Sequence, residues 1–400
     1  MRLRHLLASN RLLGFLYSFL SLTCCSCGTF AFLTGGAIRR CAKVSLWDVA
    51  QPQVGDDQQQ PSFGLYQVQE KLIVDRGTLE EELMANTYMP LQANKPKVRG
   101  VGKSGGFGGG TNKSSSAGLK AEGKAHAKVL KDDGVVRIDS VLSDSVADEL
   151  REFVFKLKQE AEESVAAGTV TRIHRFADVL LRSNRCDLTM PLGPDIITKA
   201  LIDALLKSPV RYTIENLLGK NAVLYELSCL ISYPGSQRQV VHPDTPYGAM
   251  GGLAENEPVL YTCFIALQDI HENMGPTVWL PGTHTKDAHD RFKDEQGEQS
   301  PKDQLLRTTP AKLGMLPKGS CGIFDSRLLH CGGANRSLED SRALFYFSFK
   351  NPKIGYPGNP GSIRPELVSK LSLNALCNEL EQYVKGEPCP QLEALAATLK

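Results

Sequence analysis

The chain becomes β-rich at Val223-Leu-Tyr-Glu-Leu-Ser-Cys-Leu-Ile-Ser-Tyr233, a run of aliphatic, β-branched and aromatic residues that ends at a Pro-Gly pair. Similar short runs follow, bounded mostly by Gly, Pro, Asn or Asp, over 259–267, 277–280, 322–324 and 343–349. Several short strands at such spacing favour a sandwich or barrel over alternating strands and helices. We therefore predict a mainly β fold.

Helical patterns flank this β-rich region. Upstream, Gly134–Asp139 predicts a strand, and the helix expected after it has Ser145 and Asp148 at capping-box spacing. The stretch 197–218 predicts one continuous helix. Apolar residues recur at helical spacing from Leu373 onward, which predicts a helix near the C-terminus. The helices are expected to pack around the outside of the β core.

The first 40 residues resemble a targeting segment. Basic residues at 2, 4 and 11 precede an uncharged run over 12–38, which indicates a signal peptide or a membrane anchor over 1–40. Phe30-Ala-Phe32 resembles the start of a bipartite plastid presequence. We expect a location in the secretory pathway or endomembranes, or in a plastid. A membrane would then contact the protein only through an uncleaved 1–40 segment.

Residues 41–125 have the composition of a linker. They hold a glutamine run, a glycine-rich stretch and a serine run, which together offer too little apolar surface to fold. We expect a disordered, transit or linker region there and a folded domain from about residue 126.

The overall composition excludes several classes of protein. With 42% hydrophobic and 22% charged residues, the chain is of ordinary globular type. Its 11 cysteines show neither a disulfide framework nor the spacing of a zinc site. The net charge of +2 conceals a basic tract over 95–131. Because no aromatic residues interleave with that charge in a known reading module, we expect no specific nucleic-acid partner.

His242-Pro-Asp244 is the motif that carries chemistry. Residues i and i+2 of a strand project to the same side, so this imidazole and carboxylate could bind one ion. His330 could complete the set from a distant segment. Two imidazoles and one carboxylate are the ligands of a non-haem Fe(II) site with open positions. His-Pro-Asp also marks chaperone J-domains, but the basic amphipathic helix that precedes it there is missing from this sequence.

Arg342 adds a candidate anion-binding group twelve residues after His330. A guanidinium can grip a carboxylate through two hydrogen bonds, whereas lysine acts as a point charge. We interpret His284 as structural or pocket-lining, because a fourth protein ligand would obstruct the open metal positions. His289 lies in polar sequence and is expected to be exposed.

Three motifs in this order resemble the phytanoyl-CoA dioxygenase family of Fe(II)/2-oxoglutarate oxygenases. They are His242-Pro-Asp244, the Asn273–His284 segment, and the His330–Ser337 segment followed by Arg342. The resemblance spans about 129–350. It implies a double-stranded β-helix core of the jelly-roll or cupin type over 126–350, followed by a helical extension over 351–400.

The resemblance also implies the cofactors. Fe(II) would be held by His242, Asp244 and His330, while 2-oxoglutarate would be anchored by Arg342. Molecular oxygen would be the second co-substrate and ascorbate a supportive reductant. Gln239 and Thr277 match positions that contact 2-oxoglutarate in relatives, although a structural role is equally open to both. Many relatives carry a serine two residues after the distal histidine, where this chain has Gly332.

The implied function is a dioxygenase that hydroxylates, or desaturates, an unactivated C–H bond of a small-molecule or lipid-like substrate, with release of succinate and CO2. Halogenating relatives have a small residue in place of Asp244, so its presence favours hydroxylation. The alternative is a non-catalytic β-helix protein that binds metal and serves as a binding module. The intact His242, Asp244, His330 and Arg342 argue against that alternative. The sequence does not fix an oligomeric state.

Overall fold

The structure is a computed structural model that describes residues 31–34, 37–40, 76–94, 115–177, 184–248, 257–293 and 300–397. Contacts divide the chain into two units, 1–66 and 67–400. In the first unit, strands β1 (Ala31–Thr34) and β2 (Ala37–Arg40) pair antiparallel. The rest of the targeting segment predicted over 1–40 lies outside the described residues. Among the described helices, none has the length and apolar character needed to cross a membrane.

The second unit is built on a seven-stranded sheet in which all neighbouring strands are antiparallel. Its strands, numbered in chain order, lie side by side in the spatial order β4 (Val135–Ile138), β11 (Cys321–Asp325), β8 (Leu260–Ala266), β13 (Arg342–Lys350), β7 (Val223–Ser232), β6 (Arg185–Thr189) and β5 (Phe176–Ala177). The β-rich runs of the sequence therefore form strands as predicted, four of them in this sheet.

A smaller sheet of four strands contains the fifth run. Its strands, in spatial order, are β12 (His330–Gly332), β9 (Thr277–Trp279), β10 (Lys312–Leu313) and β3 (Met89–Pro90). The chain alternates between the two sheets, since β8 and β11 belong to the large sheet while β9, β10 and β12 belong to the small one. The mainly β prediction is confirmed at this level of large antiparallel sheets with helices.

Strand β13 separates two cores. Phe345 and Phe347 are fully buried on one face, in the core that also contains the helices. Leu344 lies on the opposite face, in a second core that includes Trp279 of the small sheet. Because side chains alternate along a strand, Arg342 shares the face of Leu344. The large sheet therefore presents Arg342 toward the small sheet, in the interior between them.

Helices pack against both sheets. They are α1 (76–84), α2 (Ser116–Asp133), α3 (Asp144–Ala166), α4 (Asp195–Leu206), α5 (Val210–Leu218), α6 (Lys286–Arg291), α7 (Pro301–Thr308), α8 (Leu373–Lys385) and α9 (Pro390–Ala397). The helix predicted near the C-terminus is confirmed as α8, which buries Leu373, Leu376 and Leu380.

The single helix predicted over 197–218 is wrong, because the structure divides it into α4 and α5. Pro209 stands immediately before α5. Proline has no N–H to donate to the preceding turn and disfavours helical conformation in the residue before it, so α4 ends at Leu206. Gly219 then ends α5 with a φ of +79°.

The capping box predicted at Ser145 is also wrong. Helix α3 is preceded by Ser143 as its N-cap, and Ser145 lies inside the first turn. The backbone N–H and hydroxyl of Ser143 both donate to the carboxylate of Asp203 on α4, at 3.2 and 3.0 Å. A charged acceptor from a neighbouring helix thus replaces the local cap, which sequence spacing could not reveal.

The expectation that order begins near residue 126 needs correction. Helices α1 and α2 both include residues from the stretch interpreted as a linker. Leu83 and Met84 of α1 are buried in a core with residues of the small sheet. The polar composition of 41–125 as a whole hid Leu83 and Met84 from a prediction based on composition. The division of the chain at 40, 125 and 350 remains a prediction.

Candidate active site

The structure brings His242, Asp244 and His330 together. The two histidines lie directly opposite each other, since the N–H of each donates to the carbonyl oxygen of the other at 2.9 Å. His330 Nε2 is 3.5 Å and His242 Nε2 is 3.9 Å from Asp244 Oδ1. One potential ligand atom from each residue lies within 4.8 Å of the other two. The three side chains could therefore share one metal ion.

Hydrogen bonds orient both imidazole rings toward the same point. His242 Nδ1 lies 2.8 Å from the carbonyl oxygen of Val240, and His330 Nδ1 lies 2.9 Å from that of Leu328. Because a carbonyl can only accept, each Nδ1 carries the proton and each Nε2 is left with a free lone pair. Phe324 packs against the His330 ring at 4.9 Å between centroids. Both rings therefore direct an unprotonated nitrogen toward Asp244, an arrangement that could bind a metal ion.

Burial also sets the charge states of the site. It lowers the pKa of His330 to about 4, so this imidazole is neutral near pH 7. Burial raises the pKa of Asp244 to about 6, an effect that His242 partly opposes. Neutral histidine and ionised aspartate are the forms that bind metal. Near neutral pH His330 and Asp244 therefore have the protonation states that suit a divalent cation.

Arg342 lies fully buried at the start of β13. Its Nη2 donates to the hydroxyl of Ser232 at 3.1 Å, but Nε and Nη1 make no hydrogen bond to any described residue. Burial, and next the nearby charge of Arg185, lowers the pKa of Arg342 to about 9. A buried guanidinium with two unused donors is suited to an anionic ligand.

Arg185 is a site residue that the sequence reasoning missed. It lies on β6 opposite Ser232 of β7, and Ser232 in turn lies opposite Arg342 of β13. Its Nη2 donates to the carbonyl oxygens of Gln237 and Gly333 at 3.0 and 3.1 Å. The available signal was the period-2 alternation of β6, which places Arg185 on the inner face of the sheet.

Gly332 leaves the space that Arg185 occupies. A Cβ atom added to Gly332 would lie 2.3 Å from Arg185 Nη1 and 2.6 Å from Gln239 Oε1. A side chain there would have to displace one of them. The position where many relatives carry serine is thus filled from β6 by a guanidinium.

Gln239 and Thr277 both lie next to Gly332. Gln239 N donates to Gly332 O, and Gly332 N donates to Gln239 Oε1, both at 2.8 Å. Thr277 lies opposite Gly332 in the pairing of β9 with β12. These bonds give Gln239 a structural role, and contact of either residue with 2-oxoglutarate remains a prediction.

Two other histidines have structural surroundings. His284 Nε2 lies 3.2 Å from the carbonyl oxygen of Lys131, and this histidine is not part of the triad. His289 was expected to be exposed, which is wrong. Its Nδ1 accepts from Tyr247 N at 3.0 Å and its Nε2 lies 2.7 Å from the carbonyl oxygen of Arg327. His289 therefore connects Tyr247, shortly after Asp244, to Arg327, shortly before His330.

A two-histidine, one-carboxylate centre in a fold of two sheets, together with a buried arginine, is typical of one class of protein, the non-haem iron oxygenases that use 2-oxo acids. The family model for phytanoyl-CoA dioxygenase (PhyH) matches residues 130–343, and the chain belongs to this family. The protein is therefore a 2-oxoglutarate-dependent non-haem iron oxygenase. Its cofactors are iron and 2-oxoglutarate.

Several known proteins are similar to this chain in sequence or in fold. Dioxygenase trt7 of Aspergillus terreus (strain NIH 2624 / FGSC A1156) is 27% identical over 232 residues, which cover 55% of this chain and 71% of that protein. The solved epimerase SnoN, in complex with Fe3+, alpha ketoglutarate and nogalamycin RO, has a TM-score of 0.41 and 18% identity, covering 61% of this chain and 88% of that one. HygX of Streptomyces hygroscopicus, with nickel and 2-oxoglutarate bound, has a TM-score of 0.41 and 11% identity, covering 57% and 87%.

Proposed function

We propose that the protein hydroxylates an unactivated C–H bond of a small organic substrate, with 2-oxoglutarate converted to succinate and CO2. The observation that carries the proposal is the triad of His242, Asp244 and His330 beside a buried Arg342 with unused donors. In this proposal the three triad residues are the iron ligands. A fourth protein ligand from the His, Cys, Asp or Glu side chains is lacking among the described residues, so co-substrate and oxygen would have room at the metal.

The donor set fits Fe(II) and 2-oxoglutarate. Two neutral imidazoles and one carboxylate suit a divalent first-row metal and leave it partly positive. When bound, iron and 2-oxoglutarate supply the oxygen-dependent oxidation of the C–H bond. The residues of this chain hold the metal, orient the co-substrate and exclude water from the interior between the sheets.

Arg342 is proposed to bind the distal carboxylate of 2-oxoglutarate through Nε and Nη1. Taking a guanidinium out of water without a counter-charge costs several kcal/mol, and a bidentate carboxylate offsets that cost. Arg185 lies close enough to lower the pKa of Arg342, so it adds positive charge to the same pocket. Gln239 and Thr277 are proposed to complete the polar lining.

Asp244 supports hydroxylation over halogenation. A carboxylate at this position occupies the coordination site that a halide would otherwise take. The side chain is held close to both histidines, at 3.5 and 3.9 Å from their Nε2 atoms. Oxygen insertion, or the related desaturation, is therefore the proposed outcome.

Two acids are buried in the large sheet. Glu226 of β7 is buried, and burial followed by the charge of Asp244 raises its pKa to about 8, so this carboxyl is mostly protonated near pH 7. Asp187 of β6 is also buried, accepts hydrogen bonds from Tyr346 and Ser362, and has a pKa raised by burial to about 6. A protonated Glu226 adds no negative charge to the interior, so these acids do not exclude a substrate of either charge. We propose a small-molecule or lipid-like substrate.

The proposal extends to the fold and the targeting of the chain. Alternation of consecutive strands between the large and small sheets supports a double-stranded β-helix over 126–350. The basic and apolar residues over 1–40 support a signal or anchor for the secretory pathway, endomembranes or a plastid. The part of 41–125 that precedes α1 would connect it to the enzyme, and 351–400 would form a helical extension.

The test uses the full chain with Fe(II), ascorbate and 2-oxoglutarate. Slow succinate formation without added substrate is expected, as is its loss in His242→Ala. Anaerobic titration with 2-oxoglutarate should show binding that depends on Fe(II). A protein that binds no 2-oxoglutarate in the presence of Fe(II) would refute the proposal. Compounds that accelerate succinate formation would then identify the substrate.

A further inference from the structure

Helix α1 (76–84) lies outside the 130–343 region matched by the family model, yet it packs against the active site. Leu83 and Met84 are buried with Val241 and Val278 in one apolar core. Strand β3, which follows α1, joins the small sheet by pairing parallel with β10. This segment, residues 76–94, is therefore built into the domain.

Glu80 of α1 carries a contact that reaches the triad. It is 2% exposed, and its Oε2 accepts from the backbone N–H of Val241 at 2.6 Å. Val241 is the residue directly before His242. The next backbone N–H, that of His242, donates to His330 O instead. Glu80 therefore provides the acceptor for the backbone N–H of Val241, the residue directly before the triad histidine His242.

A buried cation fixes the Glu80 carboxylate. Lys302 of α7 is 4% exposed, and its Nζ lies 3.1 Å from Glu80 Oε1. Arg76 Nε lies 3.6 Å from the same oxygen. Because both partners of the Glu80–Lys302 pair are buried, water does not screen it. The carboxylate is thereby held between α7 and the strand before His242.

Two more contacts join residues 76–94 to the site. Glu81 accepts two hydrogen bonds from Arg336 Nη2, at 2.8 and 3.0 Å. Tyr88 OH accepts from Arg238 Nη1 at 3.1 Å. The Tyr88 contact therefore holds the chain before His242, and the Glu81 contact holds the chain after His330. Residues 76–94 thus contact both segments that carry the paired histidines.

We propose that Glu80 is a positioning residue for His242, and that residues 76–94 form part of the active site of this enzyme. The inference rests on the proposed role of His242 as an iron ligand. Glu80 keeps the strand at the register and depth at which His242 Nε2 faces Asp244 and His330. Without Glu80, all three triad residues would still be present, but His242 would be displaced from Asp244 and His330.

The experiment compares Glu80→Ala and Glu80→Gln with Glu82→Ala in the full chain. Glu82 is an exposed acid on the same helix, so it is the matched control. Fe(II) affinity is measured anaerobically with 2-oxoglutarate present, by the absorbance of the ternary complex, and unfolding is followed by circular dichroism. We expect Glu80→Ala to weaken Fe(II) binding at least tenfold, with Glu82→Ala unchanged.

Glu80→Gln separates positioning from stability. Its amide oxygen can still accept from Val241 N, so it should recover part of the Fe(II) affinity while leaving Lys302 without a counter-charge. If Glu80→Ala does not fold, the double variant Glu80→Gln with Lys302→Met removes the charges and keeps the acceptor. A folded Glu80→Ala that binds Fe(II) as tightly as Glu82→Ala would overturn the inference, and so would a tenfold loss of Fe(II) affinity in the folded double variant, which keeps the acceptor. Absence of the complex in wild type and in Glu82→Ala would refute the proposed function itself.

Discussion

Replacing Arg342 with methionine should separate co-substrate binding from stability. Methionine has a similar length but offers no hydrogen bond and no charge. Arg342 has two unused donor atoms, and each hydrogen bond from a charged group contributes about 1.5–3 kcal/mol. Removing one partner of a buried charge pair costs roughly 2–5 kcal/mol. We expect Arg342→Met to lose about 3–5 kcal/mol of 2-oxoglutarate binding.

At about 1.4 kcal/mol for each factor of ten, this loss corresponds to roughly a 100-fold to 4000-fold increase in the KM for 2-oxoglutarate. The turnover number at saturating 2-oxoglutarate should change far less, because the distal carboxylate does not react. Without ligand, Arg342 is a buried cation that lacks a counter-charge on its two unused donors. The unliganded variant should therefore be as stable as wild type, or more stable.

The assay measures succinate formation against 2-oxoglutarate concentration, together with thermal unfolding of the unliganded protein. Arg307, an exposed arginine on α7, provides the control Arg307→Met. A KM for Arg342→Met within threefold of the control would refute the assignment of Arg342 as the carboxylate anchor. A large drop in the melting temperature of the unliganded variant would contradict the electrostatic reasoning.

Three further perturbations follow from the same interior. Gly332→Ser should raise the KM for 2-oxoglutarate because its Cβ would approach Arg185 Nη1 to 2.3 Å. The double variant with Arg185→Ala should lose less 2-oxoglutarate affinity than the sum of the losses in the two single variants. Strictly additive losses, measured by succinate kinetics, would contradict the idea that the two side chains compete for the same space. Lowering the pH below about 6 should weaken Fe(II) binding by up to about tenfold per pH unit, because Asp244 takes up a proton. An Fe(II) affinity that does not change between pH 7 and 5 in anaerobic titrations would contradict this prediction. The pKa of Asp187 rises from 3.8 to about 6 on folding, so the folded state holds this proton more tightly, and the resulting stability is present below pH 4 and lost as pH rises through 6. Denaturant unfolding of Asp187→Asn should therefore show a smaller loss of stability between pH 4 and 8 than wild type, by about 2 kcal/mol, and equal losses would count against it.

The sequence predicted the strands because their signal is local. Each β-rich run alternates or fills both faces of a sheet, as Phe345 and Leu344 do on opposite faces of β13. The triad was also predictable, because a histidine and a carboxylate two residues apart constrain geometry within one strand. The distant His330 was identified by its flanking motif, and the structure places it opposite His242.

The rest depends on contacts between distant segments. Arg185 reaches the site through strand pairing 145 or more residues away from Gly332 and Arg342, with no motif around it. Helix α1 lies in the stretch 41–125, whose overall composition is that of a linker, so its buried apolar residues did not stand out in the sequence. The carboxylate of Asp203 replaces a local cap on α3, because a charged acceptor was supplied by another helix. In each case tertiary contact overrode the local pattern.

Because His242 pairs with His330, metal binding would also affect the stability of the folded state. The two residues are 88 positions apart in the chain (330 − 242), and their main chains already bond to each other. An ion held by both imidazoles closes that long loop a second time, as a reversible cross-link does, and removes chain entropy from any state in which the strands separate. Because a ligand bound only by the folded state stabilises it increasingly as the free ligand concentration rises above its Kd, iron supply and protein lifetime would be coupled. A cell short of iron would hold a pool of this enzyme that is both inactive and quicker to unfold.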